Sequence, residues 1–182
     1  LELLHTHFSR TVPDGAGPRP RLGRVRQLLE SALAEIRTSI GMRRSPDLAT
    51  SDVRAMLEGV VLHHEASTDT RVVLSIDIAA VTPPPATRIA MYRILQESLS
   101  NAYRHGGGLD VVVSLDHVPA DPPWLRLTIR DEGLGFDPAR QRPAESMGLD
   151  GMEARAATVG GRLRVQSAPG TGTTVILEVP AT

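Results

Sequence analysis

An α+β fold, built as a layered α/β sandwich, is predicted by three observations. Helical and strand-like periodicities mix along the chain, with largely sequential strands in its second half, a pattern that folds as a sheet covered by helices. One stretch, residues 87–105, places apolar and polar side chains on roughly opposite sides of a helix. Glycine-rich segments at 131–136, 147–152 and 167–172 follow that helix, each beside a predicted element.

Composition sets the bounds. The 182 residues, 41% of them hydrophobic, suffice for one full domain plus an appendage. A net charge of −1 gives no basic excess for nucleic acid, and 3% aromatics leaves little material for stacking bases. With no cysteine, disulfides, zinc–thiolate sites and cysteine nucleophiles are excluded, which fits a cytoplasmic setting. No apolar run approaches the ~20 residues that span a bilayer, and no signal peptide is visible. The chain opens at Leu1, inside an apolar-periodic pattern, and reads as a fragment whose parent carries any membrane or sensor segment upstream.

Taken in order, residues 1–9 resemble the tail of a helix, and 11–20, with Pro13, Gly15, Gly17, Pro18 and Pro20, form a loop. Leu22, Val25, Leu29, Leu33, Ile36 and Ile40 recur at helical spacing and predict an amphipathic helix over 21–42. Two helices and a loop make a hairpin, whose narrow apolar stripes call for dimerisation into a four-helix bundle. A second region starts near Ser45 and Pro46. Residues 50–67 read as a helix with Ser51 as a candidate cap, and 71–78 as a strand. Residues 81–85 are a proline-rich connector to the helix at 87–105. Strands are expected at 109–115, 125–130, 162–166 and 173–179, and a short helix at 150–159. Residues 137–146 lack an apolar period and read as a loop.

The central helix carries the chemistry. Glu97, Asn101 and His105 recur every fourth residue and form one polar stripe, while Met91, Leu95, Leu99 and Ala102 face a core. Asn is a weak helix former and poor surface filler. In this stripe it offers a hard oxygen to Mg²⁺, and Arg104 or His105 can meet phosphate. With the downstream glycine segments, this points to a nucleotide pocket.

Four elements carry a resemblance. Arg93, Ile94, Gln96, Glu97, Asn101 and His105 come first, then Asp131, Gly133 and Gly135. Gly148, Leu149, Gly151 and Met152 follow, and then Gly170, Thr171, Gly172 and Thr173. Their order and spacing, over roughly 46–180, resemble the ATP-binding domain of bacterial sensor histidine kinases, of the Bergerat-fold superfamily shared with DNA gyrase, mismatch-repair ATPases and heat-shock chaperones. The resemblance implies a mixed sheet covered by helices. Leu33, Ala34, Glu35, Ile36 and Arg37 also resemble the second helix of a dimerisation hairpin, in the subfamily paired with helix-turn-helix response regulators. The implied domains are a partial hairpin at 1–44 and a catalytic ATP-binding domain at 45–182.

The resemblance implies roles for the matching residues. Asp131 accepts a hydrogen bond from the adenine amine, which a carboxylate can do and a donor cannot; by itself it also reads as a turn aspartate. Gly133 and Gly135 let the backbone pass close to the base. Asn101 ligates Mg²⁺ bridging the phosphates. Glu97 is the general base of hydrolytic relatives, and in kinases it orients the magnesium water shell. Arg104 and His105 contact phosphate or line the rim, the alternative being a solvated helix end. Gly148, Leu149, Gly151 and Met152 sit where a loop enters a helix, whose free N–H groups favour phosphate. Asp150, which would repel phosphate, is expected to point to solvent. Residues 137–147 would be an ATP lid hinged at Gly133, Gly135 and Gly148. Thr171 and Thr173 reach adenine through water, or Thr173 is an ordinary strand hydroxyl.

The acceptor histidine of such a kinase is not found. His5 precedes Thr6 and His7 precedes Phe8, whereas the subfamily places an acidic residue after its acceptor, several turns further from the hairpin loop. The acceptor is therefore expected upstream of this chain. His5 with His7, and His63 with His64, do not share helical faces suited to metal. His117 carries no signal. The implied activity is transfer of the ATP γ-phosphoryl group to that histidine and thence to a response-regulator aspartate, in a homodimeric parent. Two alternatives keep the same pocket: a Bergerat-fold ATPase or anti-sigma-type serine kinase, and a catalytically dead regulatory module.

Overall fold

The computed structural model describes residues 52–78, 82–107, 111–120, 122–137 and 147–181. The hairpin expected at 1–44 and the lid between 138 and 146 lie outside these residues, as does Ser51.

The described elements run α1 (Val53–Thr68), β1 (Val72–Asp77), α2 (Pro85–Gly106), β2 (Val111–Val118), β3 (Trp124–Asp131), α3 (Met147–Thr158), β4 (Arg162–Ser167) and β5 (Thr173–Pro180). The five strands form one mixed sheet in the order β1-β2-β3-β5-β4. β1 and β2 are parallel, joined by the crossover helix α2, and the other neighbours are antiparallel.

Alternation along each strand decides which face is covered. Ile76, Leu115, Leu127, Leu177 and Leu163 are register partners across all five strands, and so are Leu74, Val113, Ile129, Val175 and Val165. These two rows meet Met56, Leu57, Val60, Met91, Ile94, Leu95, Leu99, Met152 and Ala156 from the three helices in a single core. The opposite face carries Asp77, Asp116, Arg126, Glu178 and Arg162 in one register row. There the Arg126 guanidinium forks onto Glu178 Oε1 at 2.9 and 2.7 Å. A polar row of this kind needs no second layer of helices, and the described residues form a sandwich of two layers.

The element ends show where local chemistry overrode the periodicity. α2 begins at Pro85 and takes in the end of the expected connector. Proline at the first helical position loses nothing, since its missing N–H has no intrahelical partner there. α1 runs one residue past its expected end to Thr68, and closes with Asp69 in the left-handed region at φ 55°, its N–H on Glu65 O at 2.9 Å. The N-cap is Asp52, which makes no side-chain cap bond. β2 continues past Leu115 because β3 supplies partners for Asp116, His117 and Val118. α3 starts at Met147, three residues before the expected Asp150.

Candidate nucleotide-binding site

Helix α2 links the two halves of the site. Met91, Leu95, Leu99 and Ala102 are buried against the sheet, as the periodicity predicts. That leaves Glu97 and Asn101 half-buried on a flank. A Cβ built on Gly148 would fall 2.5 Å from Glu97 Oε1 and 3.7 Å from Asn101 Nδ2. Both side chains therefore lean over the first turn of α3, where a side chain at 148 would displace the Glu97 carboxylate. The first four N–H groups of a helix lack intrahelical acceptors, so this is where anionic oxygens are best received. The Glu97 carboxylate and the Asn101 amide, whose oxygen is a hard donor of the kind Mg²⁺ takes, thus stand on one side of this helix start.

The far end of α2 meets the other half. Gly106, its last residue, packs backbone to backbone against Gly133. A Cβ on Gly133 would collide with Gly106 Cα and lie 2.8 Å from its carbonyl oxygen. Asp131, buried at the end of β3, turns back to accept the Gly133 N–H on Oδ1 at 2.9 Å. That bond holds one carboxylate oxygen in place beside the glycine contact.

The β4–β5 turn closes the third side. Gly172 is buried at φ 73°, and a Cβ there would run into the Asp131 carbonyl. Gly135, at φ 58°, is packed the same way against Ala168 O and Gly172 O. The Gly170 N–H donates to Leu134 O at 2.6 Å, joining the 131–136 loop to the turn.

Not every predicted residue is equally placed. Asp131, Gly133, Gly135 and Thr173 converge, with Thr173 the direct register partner of Asp131. Glu97, Asn101 and Gly148 form the second group. Arg104 and His105 are exposed on the last turn of α2. Leu149 is half-buried against the core, and Met152 is fully buried with Sδ 3.5 Å from Ser98 Oγ, so its side chain serves packing. Gly151 lies in the first helical turn near the flexible Arg155 side chain. Asp150 is exposed, as expected, and a carboxylate in the first turn also suits the helix dipole. Thr171 is exposed and its hydroxyl donates to Ala168 O at 3.0 Å, closing the turn. Two residues were missed. Gly106 reads in sequence as the start of a glycine run after a helix, and Ser167 as one more turn residue. For Ser167 a strand periodicity ending at a glycine turn was the available signal.

A sheet covered on one face by helices, with an acceptor at a strand end and hard donors over a helix start, makes this domain a nucleotide-binding α/β sandwich. The chain belongs to the histidine kinase-, DNA gyrase B-, and HSP90-like ATPase family, which matches residues 86–182. Within it, the domain is of the ATP-binding catalytic type found in sensor histidine kinases. The methanol utilization control sensor protein MoxY of Paracoccus denitrificans is 32% identical over 135 residues, 67% of this chain and 30% of that protein. The histidine-protein kinase/phosphatase DegS of Brevibacillus brevis is 29% identical over 162 residues, covering 87% and 40%. The sensor histidine kinase LiaS of Bacillus subtilis is 40% identical over 90 residues, covering 50% and 24%. The chain thus spans less than half the length of these curated relatives.

The fold recurs in solved structures. The histidine kinase domain of the Erythrobacter litoralis EL346 blue-light activated kinase superposes with a TM-score of 0.55 at 21% identity, over 74% of this chain and 67% of that one. Full-length ShkA in complex with AMPPNP superposes with a TM-score of 0.61 at 18% identity, over 93% and 40%.

Proposed function

We propose that this chain supplies the catalytic step of a two-component sensor kinase, transfer of the ATP γ-phosphoryl group to a histidine outside residues 1–182. The observation that carries the reading is the reach of α2. One rigid helix presents Glu97 and Asn101 over the start of α3 and, at its other end, seats Gly106 against the Asp131–Gly133 loop. A nucleoside triphosphate needs that separation, with base and phosphates held at two fixed places.

In this reading Asp131 accepts from the adenine amine, while Gly133 and Gly135, packed backbone to backbone on Gly106 and on the β4–β5 turn, hold the loop that carries it. Asn101 holds Mg²⁺, which neutralises phosphate charge when bound, and Glu97 orients its water shell. The free N–H groups of the first turn of α3, at Gly148 and Leu149, receive phosphate oxygens, with Gly151 just behind them and Arg104 and His105 at the rim. Catalysis then consists of positioning and charge neutralisation, as phosphoryl transfer requires. Residues 1–44, which by sequence resemble part of a dimerisation hairpin, precede the ATP-binding domain at 45–182, and the full protein is a homodimer acting in the cytoplasm on a response regulator with a helix-turn-helix output domain. No helix among the described residues is long and apolar enough to cross a membrane.

Calorimetric titration of Mg·ATP into this chain, with Mg·GTP and Asp131→Asn as controls, tests the reading. Selective ATP binding lost in the variant is the expected result. The chain alone is expected to bind ATP without phosphorylating itself, and phosphohistidine on the purified chain would overturn that expectation.

A further inference from the structure

The helix-side face of the sheet changes character at one end. Beyond the two apolar rows, the register partners Asp131, Thr173 and Ser167 form a polar row across β3, β5 and β4. Each lies two residues past an apolar residue of its strand, Ile129, Val175 and Val165, and so shares the covered face.

Ser167 sits at the centre of three hydrogen bonds. Its Oγ donates to Gly172 O at 2.8 Å, accepts the Phe136 N–H at 2.9 Å, and lies 3.1 Å from Thr173 Oγ1. A hydroxyl has one proton and two lone pairs. A carbonyl only accepts and an amide N–H only donates, so the Ser167 proton is committed to Gly172. The third bond then exists only with Thr173 as donor. The Thr173 proton is thus committed to Ser167, and lone pairs are all that this hydroxyl has left to offer beside its register partner Asp131, whose carboxylate also only accepts.

We infer that Ser167 is a positioning residue that sets base specificity by making this wall of the pocket accept-only. The inference rests on the reading of the site as an ATP pocket. An accept-only wall facing purine position 6 pairs with the amine of a 6-amino purine and repels the oxygen of a 6-oxo purine, whose only donor on that edge is the N1–H. With Ser167 replaced by alanine, the Thr173 hydroxyl is free to rotate and donate, which serves an oxo group as readily as an amine.

The test is titration of ATP, inosine triphosphate and inorganic tripolyphosphate, each with Mg²⁺, into the wild-type chain and three variants, with thermal melting to verify folding. Inosine triphosphate replaces the purine 6-amine by an oxygen. The wild type is expected to prefer ATP. Ser167→Ala is expected to narrow the ATP-to-inosine preference by about five- to tenfold, the effect of one redirected hydrogen bond, with tripolyphosphate affinity unchanged. Ser167→Thr, which keeps the hydroxyl, restores the preference. Thr173→Val, which removes the lone pairs without disturbing Ser167's bond to Gly172, narrows it as well.

An unchanged preference in a folded Ser167→Ala chain would overturn the inference and leave the ATP reading standing. An equal loss of tripolyphosphate affinity would also overturn it, marking Ser167 as a general brace of the loop. Failure of the wild type to bind ATP would overturn both.

Discussion

Gly106 and Gly133 touch backbone to backbone, so that the last residue of α2 is seated directly on the loop that follows Asp131. The contact fixes the position of the Asp131 carboxylate relative to the helix that carries Glu97 and Asn101. A side chain on Gly133 would part the two halves of the site.

Gly133→Ala tests that contact. The added methyl collides with Gly106 Cα and comes within 2.9 Å of Asp131 Oδ1, and backbone on one side cannot swing away. Overpacking of this kind costs about 1–3 kcal/mol. Urea denaturation is expected to show that loss, and calorimetry to show weakened ATP binding.

Asp131→Asn separates stability from binding. The amide oxygen of asparagine can still accept the Gly133 N–H, so the unfolding midpoint is expected to stay nearly unchanged. ATP affinity is expected to fall by about ten- to a hundredfold, since a charged acceptor contributes about 1.5–3 kcal/mol. A variant that binds ATP as the parent chain does would remove Asp131 from the site.

Asn101→Ala and Gly148→Ala address the phosphate side. Without the Asn101 amide oxygen, the dependence of ATP affinity on Mg²⁺ is expected to disappear in titrations with and without the ion. In Gly148→Ala the new methyl displaces the Glu97 carboxylate, a flexible side chain, so the domain is expected to fold. Its Mg·ATP affinity is expected to drop by about tenfold, as for a misplaced charged contact.

His64 makes stability depend on pH. It lies half-buried on α1, its ring edge-on to Tyr103 of α2 with centroids 6.3 Å apart, and its Nε2 is buried without a hydrogen-bond partner. Burial lowers its pKa below the usual 6.5, helped by neighbouring His63 and opposed by Glu65. The unfolded chain therefore binds this proton more readily than the folded one. Stability from His64 is fully present above pH 6.5 and is lost as pH falls from there through the lowered folded value. Melting curves at pH 7.5 and pH 5.5, both chosen about one unit from the usual histidine pKa, are expected to differ less in His64→Leu than in the wild type. An equal difference in both would assign the pH dependence to other groups.

Helices were the most legible part of the sequence. The spacing of Met91, Leu95, Leu99 and Ala102 already implied the buried face of α2, and so the flank on which Glu97 and Asn101 stand. The ends were less legible, because Pro85 reads as a breaker until its position at a helix start is known. Met152 reads as part of a glycine motif, and only packing against Ser98 reveals it as core. Thr171 and Thr173 look equivalent in sequence, yet the turn engages one and the strand register places the other beside Asp131.

By itself the sequence determined the amphipathic stripe of α2, the alternation of the strands and the glycines that admit close backbone approach. Each follows from local geometry, the 3.6-residue helical turn and the two-residue strand repeat. Only the tertiary structure decided that β5 lies between β3 and β4, which brings Asp131, Thr173 and Ser167 into one row. Strand order depends on how distant apolar rows bury one another under the helices, and no local period encodes it. The direction of the Thr173 proton follows from that order, because the groups that orient it come from two separate segments, the loop after β3 at Phe136 and the β4–β5 turn from Ser167 to Gly172.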